Sequence, residues 1–217
     1  MKTRLFAALL ILCAATLTAQ APATPAGTPV AQTHSSDLGF SYSIPSDWEV
    51  VDTNQTLPAV RQKVENEAAS EGERKGAACA QVALTARHGV PASVIVVVAL
   101  PYACFGQEMT GKDLPDFASG ASEGLKKSFN LADPIRGAYS LGTHSVWIER
   151  ARGTVIGHVD TTYTVETVCS ILKKGAVCWM TMAADDAALQ TFEHGAVTLD
   201  DDAAAALVPA GAFQKKP

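Results

Sequence analysis

The chain has 217 residues, of which 47% are hydrophobic and 18% charged, and its 22 Asp and Glu outnumber its 17 Lys and Arg. A chain of this length fits one domain with tails and can bury a substantial core. The acidic balance and the lack of a Lys/Arg run argue against nucleic acid and anionic membrane surfaces as partners, because both require clustered positive charge.

The N-terminus has the pattern of a cleavable secretory signal. Two basic residues precede an apolar stretch over residues 5–17, and residues 19–21 (Ala-Gln-Ala) match a small-x-small cleavage site. The stretch is shorter than the ~20 residues that span a bilayer, so we expect no transmembrane anchor after cleavage. Lipid modification of Cys13 is an alternative, although a large leucine precedes it. We therefore expect a periplasmic or secreted protein.

Composition divides the chain into four parts. The signal peptide is predicted over residues 1–21, and residues 22–37 form a linker rich in Pro, Ala and Thr that cannot bury enough apolar surface to become ordered. Residues 38–199 form one domain. Residues 200–217, which begin with three aspartates and continue with alanines, are predicted to be a flexible tail.

Four cysteines follow the signal, and an even number in an exported protein indicates disulfides. Three pairings are possible. We favour Cys169–Cys178, across a hairpin, and Cys79–Cys104, near the open end of another. The first bridge requires a register that places its cysteines directly opposite each other, which a four-residue loop over residues 172–175 provides. A two-residue turn would leave the sulfur atoms diagonal.

Hydrophobic periodicity predicts an antiparallel sheet. Residues 40–44 alternate between large apolar and small side chains, which is typical of a half-buried strand. Residues 94–100 are apolar throughout, so this strand is expected to be buried on both faces. Further strands are predicted over residues 145–152, 159–172 and 177–183. Tight turns between them make the sheet antiparallel, and the face that carries Glu166 and Ser170 is expected to be wetter than the opposite one.

Two amphipathic helices are predicted to cover this sheet. The first, over residues 113–129, has an apolar stripe made of Leu114, Phe117, Ala121, Leu125 and Phe129. The second, over residues 185–199, has a stripe made of Leu189, Phe192, Ala196 and Leu199, and Gly195 weakens it by about 1 kcal/mol relative to alanine. Because a doubly buried strand needs a cover on each face, the predicted fold is α+β: an antiparallel sheet covered by helices, or α/β/α sandwich.

The domain opens with the motif Phe40-x-Tyr42-x-Ile44-Pro45-x-x-Trp48. This motif resembles the start of PsbP-like domains, which are named for an accessory subunit of the photosynthetic oxygen-evolving complex. The buried strand, the Lys-Lys-Gly hairpin and the closing helix continue the resemblance over roughly residues 38–199. The resemblance implies a PsbP-like fold and a non-catalytic binding or accessory role. It implies no catalytic residues, because the family shares none.

Residue patterns offer few candidates for catalysis. Residues 120–124 match the letters G-x-S-x-G around Ser122, but they fall within a helical stripe and not on the strand-to-helix turn that a nucleophilic serine needs. His158 and Asp160 share a strand face and could bind a metal with a third ligand from elsewhere. A solvated strand end explains them more simply. We therefore predict no catalytic residue, no metal site and no cofactor.

Two other features are candidates for binding. Trp147 has the opposite phase to its apolar neighbours, so it is the tryptophan most suited to line a ligand groove. Residues 200–202 (Asp-Asp-Asp) could attract a cation but lack the glycine and distal glutamate of a calcium loop, and a solvated tail explains them better. The sequence therefore predicts a non-catalytic envelope module that binds an unknown protein or small ligand. A secreted hydrolase or metal-dependent enzyme is the alternative.

Overall fold

The computed structural model describes residues 31–52, 71, 74, 78–104, 108–126 and 128–213. The predicted signal peptide, with Cys13, lies outside the described residues, as do residues 22–30 of the predicted linker and residues 214–217. No helix in the described part of the chain is long and apolar enough to cross a membrane.

The described chain forms two antiparallel sheets flanked by the helices α1 (Leu114–Lys126) and α2 (Asp186–His194). The strands in chain order are β1 (Ala31–Ser36), β2 (Phe40–Pro45), β3 (Glu49–Val50), β4 (Gln81–His88), β5 (Ser93–Pro101), β6 (Phe129–Leu131), β7 (Ile135–Leu141), β8 (His144–Val155), β9 (His158–Ile171), β10 (Gly175–Ala183), β11 (Ala196–Leu199) and β12 (Ala205–Ala206). The larger sheet has the order β3-β4-β5-β10-β9-β8-β6, and β7 also pairs with β8. The smaller sheet has the order β1-β2-β11-β12. The predicted α+β class and antiparallel sheet are confirmed.

Strand β5 lies inside the larger sheet, between β4 and β10, as its apolar sequence predicts. All residues from 93 to 100 are buried. Alternate side chains enter two separate cores, because successive residues of a strand point to opposite faces. Val94, Val96, Val98 and Leu100 pack with the apolar side of α1, whereas Ile95, Val97 and Ala99 pack with α2 and the smaller sheet.

Helix α1 covers one face of the larger sheet with the predicted stripe. Leu114, Phe117 and Leu125 are among its buried side chains. At its N-terminus the carboxylate of Asp113 accepts hydrogen bonds from the backbone N–H and hydroxyl of Thr110, both at 2.8 Å. The helix ends at Lys126, so the prediction that it continues to residue 129 is wrong. Phe129 belongs to β6 instead, which pairs with β8.

Helix α2 covers the opposite face and is also shorter than predicted. Its N-cap is Asp185, whose carboxylate accepts the N–H of Ala188 at 2.8 Å. The helix ends at His194, and residues 196–199 form β11 rather than a last helical turn. The apolar spacing suited a helix, but the segment pairs with β2 and completes the smaller sheet.

The ordered domain extends beyond both predicted boundaries. Residues 31–36, predicted to belong to a disordered linker, form β1 and pair with β2 along their whole length. The predicted flexible tail contributes Leu207, Val208 and Ala212 to the core beneath α2. The hydroxyl of Tyr139 donates to the carbonyl of Leu207 at 2.6 Å, which fixes this segment against β7. Both predictions are wrong over these residues. The two segments have few large apolar residues, but backbone pairing orders the first and a few buried side chains order the second.

The structure joins Cys169 to Cys178 and Cys79 to Cys104. Cys169 lies directly opposite Cys178 in the register of β9 and β10, with 4.2 Å between the two Cα atoms. The connecting loop is the four-residue one over residues 172–175, which is closed by a 2.8 Å hydrogen bond from the N–H of Leu172 to the carbonyl of Gly175. The geometric condition for this bridge is therefore met.

Gly195→Ala is expected to destabilise the protein, although helix propensity alone predicts a gain of about 1 kcal/mol. A Cβ atom at residue 195 would collide with the ring of Tyr42, which is buried and donates to the carbonyl of Phe192 at 2.9 Å. We expect the free energy of unfolding to fall by about 1–3 kcal/mol in denaturant titrations.

Gly111→Ala is the matched control for that substitution, because its Cβ would lie in ordinary contact with Ser145. It should change stability by less than about 0.5 kcal/mol. A Gly195→Ala protein as stable as wild type would show that the contact between Gly195 and Tyr42 does not constrain this corner of the fold.

Candidate functional site

Two neighbouring rows of residues cross the larger sheet, and each contains an Arg–Glu pair. In the first row the register places Arg136 of β7 opposite Glu149 of β8, and Glu149 opposite Thr167 of β9. In the second row Arg150 of β8 lies opposite Glu166 of β9. Successive residues of a strand point to opposite faces. The first row therefore faces α1, and the second faces α2 and the smaller sheet.

Glu149 is the centre of the first row and is 3% exposed. Its Oε1 atom accepts three hydrogen bonds: from Arg136 Nε at 2.9 Å, from Ser119 Oγ at 3.1 Å and from Trp147 Nε1 at 3.3 Å. Among the described residues, none donates to its second oxygen, Oε2. These donors come from α1, β7 and β8, so the carboxylate is fixed by three elements and keeps one oxygen available.

A cleft of about 120 Å³ lies beside this carboxylate, between α1 and the strands β6 to β9. Its polar walls are Ser119, Ser122, Lys126, Arg136, Glu149 and Thr167; its apolar walls include Leu125, Leu131, Pro134, Ala151 and Val165. The volume is below the ~300–1,000 Å³ of sites for drug-sized molecules. The cleft is therefore suited to a small molecule that has both polar and apolar groups.

Two cationic side chains, Arg136 and Lys126, and one carboxylate, Glu149, line the cleft. The side chain of Arg136 is 44% exposed, and only its Nε atom is bound to Glu149. Lys126 is an exposed residue at the end of α1. The cleft thus offers a carboxylate oxygen as an acceptor and cationic donors near its mouth. Oε2 has no donor among the described residues, and it is not one of the buried side-chain atoms that lack a partner, so it reaches solvent. A ligand in the cleft can therefore donate to it in the place of water.

Glu166, in the second row, is sealed from solvent. It is fully buried, its Oε2 accepts a 2.5 Å hydrogen bond from Arg150 Nε, and its Oε1 has no partner among the described residues. Arg150 also pairs with Glu193 of α2, and its guanidinium lies 4.5 Å from the ring centroid of Phe213. Burial raises the pKa of Glu166 to about 7, since it outweighs the opposing effect of Arg150. The prediction that this face of β9 is the wetter one holds at its start, where residues 160 and 162 are exposed, and is wrong at Glu166 and Ser170, which are fully buried. α2 and the C-terminal segment cover Glu166.

Ser122 lies in the middle of α1 and lines the cleft, but not on a nucleophile turn. None of the described histidines lines the cleft with it. The neighbouring Ser119 donates directly to Glu149, without the histidine that relays a proton in a serine hydrolase. The geometry that the hydrolase alternative needs is therefore not formed by these residues.

The two residues that were considered as candidate metal ligands are not gathered into a site by the described part of the structure. His158 and Asp160 are exposed at the start of β9, and no group of three or more His, Cys, Asp or Glu in the described part of the chain could hold a metal ion.

Two of the three aspartates at residues 200–202, Asp200 and Asp202, are structural and not part of a solvated tail, which corrects the prediction for them, whereas Asp201 is exposed. The side chain of Asp200 accepts the backbone N–H of Lys173 at 3.0 Å, and that of Asp202 accepts the N–H of Thr143 at 2.8 Å. Nε2 of His144 lies 3.4 Å from Asp200 and 3.6 Å from Asp202. The segment therefore fastens two hairpin loops to the end of β11.

The central residue of the cleft, Glu149, is not among the residues predicted from the sequence. Trp147 is half-buried and lies on the face opposite to Val146 and Ile148, as its phase predicts. Glu149, two residues further along the same strand, shares that face, and this spacing was the available signal. The contribution of Arg136 depends on the register of β7 against β8, which a single sequence does not specify.

No family model and no curated protein matches the chain. Among solved structures, the chain is similar to the solution structure of cyanobacterial PsbP from Synechocystis sp. PCC 6803. The two have a TM-score of 0.41 and 13% sequence identity, over 79% of this chain and 89% of that chain.

Glu166→Gln is expected to flatten the pH dependence of stability. The pKa of Glu166 is about 7 in the folded protein against an ordinary value of 4.5, so the folded state retains a proton that the unfolded chain loses. The stabilisation from this proton is complete below about pH 4.5 and is lost as the pH rises through about 7. Between pH 5 and pH 8, wild type should lose on the order of 1–3 kcal/mol more than the variant in denaturant unfolding.

The difference between the two proteins isolates Glu166, because every other titrating group is common to both. Equal losses of stability in wild type and Glu166→Gln over this pH range would contradict the raised pKa.

Proposed function

We propose that the chain is an exported, non-catalytic binding module that holds a small polar ligand in the cleft beneath α1. The observation that carries this proposal is the state of Glu149. The carboxylate is almost completely buried, accepts all three of its hydrogen bonds on Oε1 and leaves Oε2 at the cleft. Such a group adds little to stability, since burying a charge is costly, but it is suited to recognise a donor.

Two lines of support favour an exported location. Disulfides persist in oxidising compartments such as the periplasm or the cell exterior, and the chain has two of them. The first 21 residues also have the pattern of a secretory signal. Together they favour a periplasmic or secreted protein.

The cleft favours binding over hydrolysis and a small ligand over a protein partner. Its serines have no histidine beside them among the lining residues. Glu149 is already engaged by Arg136 and Trp147, which fixes it as an acceptor. A recess of about 120 Å³ accepts a small molecule more readily than a protein side chain with its backbone.

Trp147 provides a direct test, because its indole N–H donates to the same oxygen of Glu149. We expect at least one small polar compound from a panel of urea, acetamide, ethanolamine, glycine and lactate to shift the Trp147 indole resonance saturably in ¹H–¹⁵N NMR. The indole of Trp179, which is fully buried on the other face, should not move. A Trp147→Phe spectrum assigns the signal.

Glu149→Gln should weaken the response of this signal about tenfold or more, because a charge-assisted hydrogen bond is lost. Glu49→Gln is the matched control: it alters an exposed Arg–Glu pair near the far edge of the same sheet. The proposal is contradicted if no compound in the panel shifts the Trp147 resonance, or if Glu149→Gln responds as wild type does.

A further inference from the structure

We propose that the ligand of this cleft is a small zwitterion, with an ammonium and a carboxylate group on neighbouring carbons, as in a small amino acid. The inference rests on the proposed function and specifies its ligand. It follows from the charges of the first row and from the atoms of the Arg136–Glu149 pair that do not join the two side chains. These atoms are the Nη atoms of Arg136 and Oε2 of Glu149.

The two side chains of this pair have opposite charge, and both line the cleft. The Arg136 Nε atom is 2.9 Å from Glu149 Oε1, so the side chains meet through these two atoms. In the described residues, neither the Nη atoms of Arg136 nor Oε2 of Glu149 takes part in a further hydrogen bond. Both residues line the cleft. A ligand beside the pair therefore meets an acceptor that carries negative charge and donors that carry positive charge.

Net charge decides between the classes of ligand that could use this wall. Arg136 compensates Glu149, and the charge of Lys126 is screened by solvent because that residue is exposed. A ligand with only a cationic group would therefore leave an excess positive charge beside the pair. A ligand with only an anionic group could pair with Arg136 but would leave Oε2 of Glu149 without a donor. A zwitterion adds no net charge, and each of its charged groups meets a group of opposite charge. Its ammonium faces Glu149 Oε2 and its carboxylate faces Arg136, with Lys126 nearby.

The remaining walls suit the rest of such a molecule. The hydroxyls of Ser119, Ser122 and Thr167 supply donors and acceptors around the charged groups, and Leu125 and Val165 provide an apolar wall for a short side chain. The volume of about 120 Å³ limits the ligand to a small amino acid and excludes long side chains.

L-Alanine, ethylammonium and propionate form a matched set of probes, because the second lacks the carboxylate of alanine and the third lacks its ammonium. We expect L-alanine to shift the Trp147 indole resonance of the ¹⁵N-labelled full chain with a midpoint at least about tenfold lower than that of either analogue, since each loses a charge-assisted contact. Glu149→Gln and Arg136→Gln should each raise the alanine midpoint about tenfold. Glu49→Gln should leave it unchanged.

The outcomes separate this inference from the proposed function. If ethylammonium or propionate has the same midpoint as alanine, the zwitterion is wrong and the cleft is still a binding site. The same holds if none of the three probes shifts the signal but urea, acetamide, ethanolamine or lactate does. If no compound shifts the signal, both the inference and the proposed function are overturned.

Discussion

The structure depends on one strand that has no polar face. Every residue of β5 from 93 to 100 is buried, and each valine or isoleucine removed from water contributes about 1.5–3 kcal/mol. A strand of this kind is stable only inside a sheet that is covered on both sides. The chain supplies β4 and β10 as hydrogen-bonded neighbours, α1 as one cover, and α2 with the smaller sheet as the other.

The two covers are unequal, and the difference explains where a ligand site can form. On the α2 face, a helix, a second sheet and the C-terminal segment with Phe213 seal Glu166 from water. On the α1 face a single helix leaves a recess next to Glu149. Adjacent rows of the larger sheet thus each carry an Arg–Glu pair, one between β7 and β8 and one between β8 and β9, in two different environments. The sealed carboxylate has a raised pKa, whereas the other lines an open cleft.

Three parts of the fold could be predicted from short stretches of the sequence. The apolar run of β5, the stripe of α1 and the loop length that aligns Cys169 with Cys178 are all visible within short windows. The smaller sheet was not predicted, for two reasons. Strand β1 is polar, so its sequence does not indicate a buried strand. The apolar residues of β11 have the spacing of a helix, and only the pairing of β11 with β2 makes it a strand. The cleft was missed because Arg136, Ser119 and Glu149 meet only through strand register and helix packing.

We propose that the Arg136–Glu149 pair serves to bind a ligand and does not stabilise the fold. The most direct measurement is the free energy of unfolding of an Arg136→Met/Glu149→Met protein. The cost of burying ions means that an apolar pair of similar volume should leave stability unchanged or higher, and the half-buried Trp147 and Ser119 can donate to water in the cleft. A loss of more than about 2 kcal/mol would contradict the claim, because it would show that the pair stabilises the folded state.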